Sequence, residues 1–215
     1  MKKLLKVGIT LRVENITKYN EKRDAISQDW IRFCNYFKMI PVLIPNNLES
    51  IKKFLEMSNL DILIFSGGDN VGDDPGRDKT EKTMLKFALE NKIPSLGICR
   101  GMQFFNIFFG GDIRHSSTKS HVKTRHRVEF SDKKIEKLLS KNHTIVNSFH
   151  QNFIEEENLG TNLKPFGIVK DNNTIEAFYH KKYPIIGVMW HPEREADLEK
   201  TKKLLNLLQT KKIWK

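Results

Sequence analysis

The sequence predicts an α/β protein with a mostly parallel central sheet and an antiparallel C-terminal part. Short apolar runs alternate with helically periodic segments through the first half, as expected for parallel strands joined by helices. In the second half the predicted strands follow one another at short spacing, which favours antiparallel hairpins. With 215 residues, 39% of them hydrophobic, the chain can bury one sizeable core. We therefore expect a single domain over residues 1–215.

The strands of the first half are short runs of apolar and β-branched residues. They are predicted at residues 4–10, 42–44, 61–65 and 94–98. Two helices are predicted between these strands, because apolar residues recur at spacings of three and four. The first covers residues 23–39 and the second residues 80–91, with apolar positions at Ile26, Trp30, Phe33, Phe37, Met84, Phe87 and Ala88.

The second half is predicted to contain five more strands and a closing helix. The strands are expected at residues 126–130, 144–146, 166–169, 174–179 and 185–190. Residues 171–173, Asp-Asn-Asn, have the composition of a turn between two of them. The closing helix is expected at residues 197–208. No internal repeat, low-complexity tract or linker interrupts this order.

Composition excludes several classes of protein. No apolar run approaches the ~20 residues that a membrane-spanning helix needs, so we expect a cytoplasmic protein with no membrane partner. The chain has only two cysteines, Cys34 and Cys99. A secreted domain of this size more often carries several paired cysteines, which argues against a structural disulfide.

The chain is basic, with 37 Lys and Arg against 26 Asp and Glu, a formal net charge of +11. Such a charge suits nucleic acid, anionic lipid or a phosphorylated substrate. Most of the excess is lysine spread over predicted helix faces and the C-terminal tail, which favours an ordinary solvated surface. An anionic substrate is the second interpretation, and we expect no nucleic-acid partner.

Cys99 is the candidate nucleophile. It occupies the centre of a Gly-x-Cys-x-Gly motif between the strand predicted at residues 94–98 and a helical run at residues 102–109. Glycines two residues either side let strand and helix approach closely around a strained turn, as in a nucleophile elbow. The adjoining helix N-terminus would favour the thiolate. The alternative is a small buried residue at a strand end; we assign that structural role to Cys34, which lies in an amphipathic helix without glycines.

His191 and Glu193 are the candidate base and its orienting group. An apolar strand ends abruptly in His191-Pro192-Glu193, and in an extended segment the first and third side chains point to the same face. Pro192 fixes φ, so the carboxylate can hold one imidazole nitrogen while the other faces a thiol. Cysteine nucleophiles need a base oriented in this way. A strand-end histidine beside a surface glutamate is the alternative.

Two further segments supply polar groups at predicted strand ends. Gly67-Gly68 follows the strand at residues 61–65, and its backbone N–H groups could form an oxyanion hole. Residues 147–151, Asn-Ser-Phe-His-Gln, follow another strand and suit the binding of a charged small molecule. Each segment alone is equally compatible with an ordinary turn.

Taken together and in this order, these segments resemble the class I glutamine amidotransferase family, in particular its γ-glutamyl hydrolase branch typified by γ-glutamyl-γ-aminobutyrate hydrolase. The resemblance covers roughly residues 6–208. Its most specific parts are Gly-Ile-Cys-Arg-Gly-Met-Gln at 97–103, Asn-Ser-Phe-His-Gln at 147–151 and Gly-Val-Met-Trp-His-Pro-Glu at 187–193.

The resemblance implies a three-layer, flavodoxin-like fold and a cofactor-independent hydrolysis through a glutamyl thioester. It makes Cys99 the nucleophile, His191 the base and Glu193 the group that orients it. The oxyanion donors would be Gly68 and the backbone N–H of Arg100. The residues that match positions facing the glutamyl group are Gln103, Ser148, Phe149, His150 and Gln151.

The comparison with the family leaves two parts of the chain without an assigned role. Glu176 matches a family motif, but the sequence indicates no chemistry for it. The loop at residues 71–79 departs from the tyrosine-bearing version expected after the glycine pair, which leaves the substrate open where that loop contributes.

Three functions remain open at this point. The first is a free-standing γ-glutamyl hydrolase, whose sharper version takes an anionic, nucleotide-linked substrate such as the γ-glutamyl-CDP-amidate of capsule phosphoramidate synthesis. Its phosphates would meet basic residues near the nucleophile in sequence: Arg100, Arg114, Lys119, Lys123 and Arg125. The second is a glutaminase subunit that supplies ammonia to a separate synthase, and the third is a basic binding protein on a decayed hydrolase scaffold. A homo-oligomer is also open.

We predict no metal site. His115, His121 and His126 are separated by six and five residues, which suits no usual zinc site, and accompanying cysteines are missing.

Overall fold

The computed structural model describes residues 4–115 and 122–215, and its centre is a nine-stranded mixed sheet. Its strands lie in the order β4-β1-β5-β6-β13-β12-β11-β8-β9. Their bounds are β1 Leu5–Thr10, β4 Met39–Ile44, β5 Ile62–Phe65, β6 Ser95–Ile98, β8 Val122–Phe130, β9 His143–Phe149, β11 Leu163–Val169, β12 Thr174–His180 and β13 Ile185–Val188. Two small ribbons accompany it, β2 Arg12–Ile16 with β3 Glu21–Ala25 and β7 Arg114–His115 with β10 Asn152–Phe153.

Strands β4, β1, β5, β6 and β13, which are neighbours in the sheet, run parallel to one another. Each remaining pair of neighbouring strands is antiparallel, as predicted. Apolar side chains from both faces of the sheet form two cores. One core includes residues of α1, α5 and α6, and the other includes residues of α2, α3 and α4, which makes three layers. The helix bounds are α1 Gln28–Tyr36, α2 Ile51–Ser58, α3 Pro75–Asn91, α4 Arg100–Phe108, α5 Lys133–Leu139 and α6 Glu199–Thr210.

The parallel half brings the predicted site segments to one edge of the sheet. In β6 and β13, Gly97 pairs with Gly187 and Ile98 with Val188, while β5 lies on the other side of β6. Because parallel strands end at the same edge, the residues that follow β5, β6 and β13 converge there. These residues are the glycine pair, Cys99 and His191.

Two predicted helices begin at other residues than expected. The helix expected at residues 80–91 begins at Pro75, so residues 75–79 of the predicted loop are helical. The helix expected at residues 23–39 begins only at Gln28, because residues 21–25 form β3. Ser27 caps the helix by accepting a hydrogen bond from the Asp29 N–H at 3.2 Å. The β2–β3 hairpin is tied to the rest of the protein by Asp24, which accepts bonds from both the backbone and the side chain of Asn46.

Other differences concern short elements and the ends of predicted ones. Helices α2 and α5 and the β7–β10 ribbon were not predicted. The predicted strand at residues 42–44 is longer, and the closing helix lies two residues further along the chain. Among the described residues, no helix is both long and apolar enough to cross a membrane.

Candidate active site

Cys99 lies at a sharp turn between β6 and α4. Its φ of 51° and ψ of −104° are unusual for a residue with a side chain, as expected at a nucleophile elbow. The turn depends on the small size of Gly101, since a Cβ there would lie 2.1 Å from the carbonyl oxygen of Phe65. The start of α4 therefore packs directly against the end of β5, and the thiol is held at the sheet edge, 8% exposed.

His191 and Glu193 follow β13 and lie beside the thiol. The imidazole Nδ1 is 2.6 Å from a carboxylate oxygen of Glu193, and the ring also interacts with the thiol of Cys99. The backbone of His191 is fixed by Asn147, whose side chain accepts from the His191 N–H and donates to its carbonyl, both at 2.8 Å. Arg32 donates to the Glu193 carbonyl at 2.8 Å. The structure thus brings the three predicted residues together.

The electrostatics of this cluster favour a thiolate and an imidazolium. Burial opposes ionisation of Cys99, but the hydrogen bond and charge of His191, with a contribution from His150, lower the pKa of the thiol. Burial also opposes protonation of His191, yet its contacts with Cys99 and Glu193 raise its pKa to about 9. Each shift favours the charged form of its group, so the pair tends toward a thiolate beside an imidazolium.

The second cysteine gives a test of this difference. Cys34 is completely buried in α1, and burial raises the pKa of its thiol to about 11. We expect a glutamine-like electrophile, such as a diazo-ketone analogue, to label Cys99 at pH 7 and to spare Cys34, because only a thiolate reacts quickly. Peptide mapping by mass spectrometry reads the result, and equal labelling of both cysteines would contradict the assignment.

The loop between β5 and α3 borders the nucleophile, as the oxyanion prediction requires. Gly67 lies so close to His191 that a Cβ there would be 2.7 Å from the imidazole Cε1. Gly68 is exposed, with a φ of +121° that disfavours any side chain. Arg100 occupies the first position of α4, where the backbone N–H has no acceptor within the helix.

The residues predicted to face a glutamyl group differ in their exposure. Gln103 and His150 are buried, Ser148 is completely buried, and Gln151 is half-buried. The ring of Phe149 is exposed on one side and packs edge-on against His191, with centroids 5.7 Å apart. Of these, Phe149 contacts His191, and the roles of all five stay predictions.

Glu176, for which the sequence indicated no chemistry, is a buried carboxylate between two histidines. One oxygen lies 3.2 Å from Nε2 of His126 and the other 3.4 Å from Nε2 of His150. Burial opposes ionisation, but these contacts outweigh it and lower the pKa of Glu176 to about 2. The pKa of His150 is raised, because the charge and hydrogen bond of Glu176 outweigh burial. His150 therefore adds positive charge near Cys99.

The same three side chains are the described residues whose grouping could hold a metal ion, with ligand atoms within 4.8 Å of one another. Each histidine faces a different oxygen of Glu176, which suits an ion-pair network. The histidine trio considered from the sequence is not the one that forms: His115 lies in the β7–β10 ribbon, and His121 is outside the described residues.

The structure corrects one of the basic residues proposed to meet phosphates. Arg100 is 1% exposed and pairs with Glu81 and Asp78, so it is not available to a ligand. Arg125 pairs with Glu195 and Arg114 with Glu157, but their side chains are 48% and 52% exposed, so their contact with phosphates stays a prediction. Lys119 and the side chain of Lys123 lie outside the described residues.

Two other arginines border the site. Arg12 in β2 and Arg194 line a small cleft together with Gly67, Gly68 and His191. Sequence reasoning missed Arg12 because it lies far before the nucleophile, in a polar stretch with no periodic pattern. Arg194 directly follows the predicted base and orienting residue, so its proximity was a usable signal.

Comparison with known proteins adds three findings. The model of the peptidase C26 family matches residues 6–193. The γ-glutamyl-CDP-amidate hydrolase of Campylobacter jejuni is 35% identical, over 97% of this chain and 96% of that protein. One component of the glutamine-hydrolysing GMP synthase of Methanococcus aeolicus is 29% identical, over 75% of this chain and 79% of that protein.

Solved structures agree on the fold. The glutaminase domain of Trypanosoma brucei CTPS, determined with bound acivicin, superposes with a TM-score of 0.70. It covers 97% of this chain and 94% of that domain at 14% identity. The glutamine amidotransferase of Thermotoga maritima gives a TM-score of 0.67 at 14% identity, over 96% of this chain and 83% of that one. The predicted three-layer fold is thereby confirmed.

Proposed function

Because this chain belongs to the peptidase C26 family, whose fold is that of class I glutamine amidotransferases, we propose that it hydrolyses the γ-glutamyl amide bond of a small anionic substrate. The family and the C. jejuni relative support an amide hydrolase of the γ-glutamyl type. The finer proposal is that the substrate is γ-glutamyl-CDP-amidate or a close analogue, cleaved to release glutamate.

One observation carries the proposal. Cys99 at the elbow contacts His191, which is held at 2.6 Å by the buried Glu193, while the exposed Gly68 lies beside them. A thiolate, an oriented imidazolium and N–H donors are the groups that acyl transfer to sulfur needs. Intact chemistry of this kind argues against the decayed binding protein.

The proposed reaction has two halves. The Cys99 thiolate attacks the γ-carbonyl carbon, and the N–H groups of Gly68 and Arg100 stabilise the oxyanion. As the C–N bond breaks, the amine leaves with a proton from His191 and a glutamyl thioester remains. His191 then removes a proton from water, which attacks the thioester and releases glutamate and the thiolate. Glu193 keeps the imidazole in one orientation throughout.

The anionic half of the substrate is assigned to the cleft lined by Arg12 and Arg194. The side chains of these residues are 38% and 31% exposed, so both can reach a ligand. Arg12 has a buried Nε with no hydrogen-bond partner among the described residues, although its Nη2 pairs with Glu14. Arg194 stacks on Phe149, with Cζ 4.8 Å from the ring centre. Guanidinium groups placed in this way suit phosphate oxygens.

We expect kcat/KM for γ-glutamyl-CDP-amidate to fall clearly as ionic strength rises, whereas that for an uncharged γ-glutamyl amide hardly changes. Exposed charges attract less strongly as the Debye length falls from ~10 Å at 0.1 M salt to ~3 Å at 1 M. Arg12→Gln should raise KM for the nucleotide substrate and flatten its salt response. Released glutamate is measured in each case.

The matched control is Arg127→Gln, since Arg127 is an exposed arginine in β8 that pairs with Glu129 away from the cleft. It should leave both substrates unaffected. Equal salt responses for the two substrates would contradict the anionic-substrate proposal, as would a neutral amide hydrolysed as efficiently as the nucleotide. The protein would then be a generic γ-glutamyl hydrolase.

The similarity to a GMP synthase component favours a second candidate, a glutaminase that works together with a synthase. Activity on free glutamine distinguishes the hydrolase from the glutaminase. The hydrolase should prefer γ-glutamyl-CDP-amidate to glutamine without any other protein, whereas a glutaminase of this kind would hydrolyse glutamine and would be stimulated by its synthase.

A further inference from the structure

The loop that carries Gly68 is held from below by a completely buried arginine. Nη2 of Arg77, in the first turn of α3, donates to the carbonyl of Ser66 at 2.8 Å and to that of Gly67 at 3.1 Å. Nη1 lies so close to Gly68 that a Cβ there would be 3.0 Å away. The Ser66 hydroxyl and N–H are also bonded to Thr10, which fixes the base of the loop.

This contact determines where the Gly68 N–H points. A trans peptide is planar, so the carbonyl of Gly67 and the N–H of Gly68 point in opposite directions. With the carbonyl bound by the buried guanidinium, the N–H of the same peptide is directed to the opposite side of the loop. Gly68 is exposed, and it lines the same cleft as His191.

The second oxyanion segment is held by a second buried arginine. The side chain of Arg100 pairs with Glu81 and Asp78 of α3, although its backbone belongs to the elbow. The tight contact between Gly101 and the Phe65 carbonyl leaves little room for the helix start to shift. The position of the Arg100 N–H therefore depends on both packing and this ion pair.

Glu81 connects the two segments. It is completely buried, and its Oε1 lies 3.2 Å from Nε of Arg77, while its Oε2 pairs with Nη1 of Arg100. We propose that Glu81 is a positioning residue, which through Arg77 and Arg100 holds the backbone donors of Gly68 and Arg100 at the spacing that the oxyanion requires. The inference rests on the proposed function, because it concerns the hole that this function uses.

The arrangement also explains why two arginines are buried next to the site. A buried guanidinium is costly unless it is paired and hydrogen-bonded. Arg77 uses its bonds on carbonyls of the oxyanion loop, and Glu81 supplies charge to both arginines at once. Asp69 and Asp78 add one weaker or more exposed partner to each. A single carboxylate thus couples the loop after β5 to the elbow after β6.

The test is Glu81→Gln, which keeps the shape of the side chain and removes its charge. Loss of a whole oxyanion donor costs ~10²- to 10³-fold in kcat, and we expect misplacement to cost about 10- to 100-fold with KM little changed. Alkylation of Cys99 by iodoacetamide forms no oxyanion, so its rate and pH dependence should stay as in the wild type. A merely structural role would not separate these two readouts.

Asp132→Asn is the matched control, because Asp132 is another buried carboxylate that bonds to Tyr179 and Lys164 away from the site. It should lower the melting temperature and leave kcat unchanged. If Glu81→Gln does not fold, Arg77→Lys keeps the charge and the Glu81–Arg100 pair but cannot bind both carbonyls in the same way. Arg77→Lys should likewise lower kcat and leave the alkylation of Cys99 unchanged.

A wild-type kcat in folded Glu81→Gln or Arg77→Lys would overturn the inference, as would an equal fall in alkylation and turnover. Neither result would affect the proposed function as long as the Cys99→Ala enzyme is inactive. Turnover by Cys99→Ala would instead refute the proposed function itself.

Discussion

Replacing Cys99 by alanine is expected to abolish hydrolysis of γ-glutamyl substrates while leaving the protein folded. The thiolate forms the bond to the γ-carbonyl carbon, and no second nucleophile among the described residues occupies the elbow. Loss of a residue that acts as part of a catalytic unit costs roughly 10⁴- to 10⁶-fold in kcat. Steady-state release of glutamate measures the loss, and circular dichroism measures the fold.

Cys34→Ala is the matched control, since it removes an equally small thiol from a fully buried position in α1. It should lower stability through the loss of packing and leave kcat close to the wild-type value. A Cys99→Ala enzyme that retained more than a small share of activity would place the nucleophile elsewhere. Reduced activity in both variants would indicate a general effect of destabilisation.

The central sheet could be predicted because its strands carry their own signal. Strands β5 and β6 are buried on both faces and read as short continuous apolar runs. The β2–β3 hairpin carried no such signal: residues 21–24 are exposed and polar, and β2 is only partly buried. Its place follows from tertiary contacts such as that of Asp24 with Asn46, which no local pattern indicates.

The residues of the site also differ in whether the sequence alone could identify them. Cys99 could be identified because the steric demands of an elbow require glycines at fixed offsets, and His191 and Glu193 because alternate residues of one extended segment share a face. The sequence predicted Arg77 in a loop and Glu81 in the helix after it, whereas α3 begins at Pro75 and carries both residues, four apart. Only the fold shows that both are buried beneath the oxyanion loop.

The arginines illustrate why proximity in sequence is a poor guide to a ligand. Arg100 adjoins the nucleophile, yet its side chain turns away into the protein to pair with Glu81. Arg12 is remote in sequence but enters the cleft because β1 ends at the same sheet edge as β6. Parallel topology brings strand ends together irrespective of their separation along the chain.

Replacement of His191 by asparagine should lower kcat by about 10³- to 10⁵-fold, because the base that accepts and returns the proton is lost. Glu193→Gln should be milder, at about 10²- to 10⁴-fold, since the carboxylate orients the imidazole and takes no proton. Because the residues act as a unit, the double variant should be little worse than His191→Asn alone. Released glutamate is again the measurement.

The two variants should also differ in how Cys99 alkylation depends on pH. His191 lowers the pKa of the thiol, whereas the negative charge of Glu193 raises it. Without the imidazolium, the thiol pKa must rise, so the midpoint of the alkylation profile should move to higher pH in His191→Asn. Glu193→Gln removes a nearby negative charge but also weakens the support that keeps His191 protonated, whose pKa is about 9 in the wild type. Its midpoint should therefore move less than that of His191→Asn, and an unchanged profile in His191→Asn would show that the imidazole does not activate the thiol.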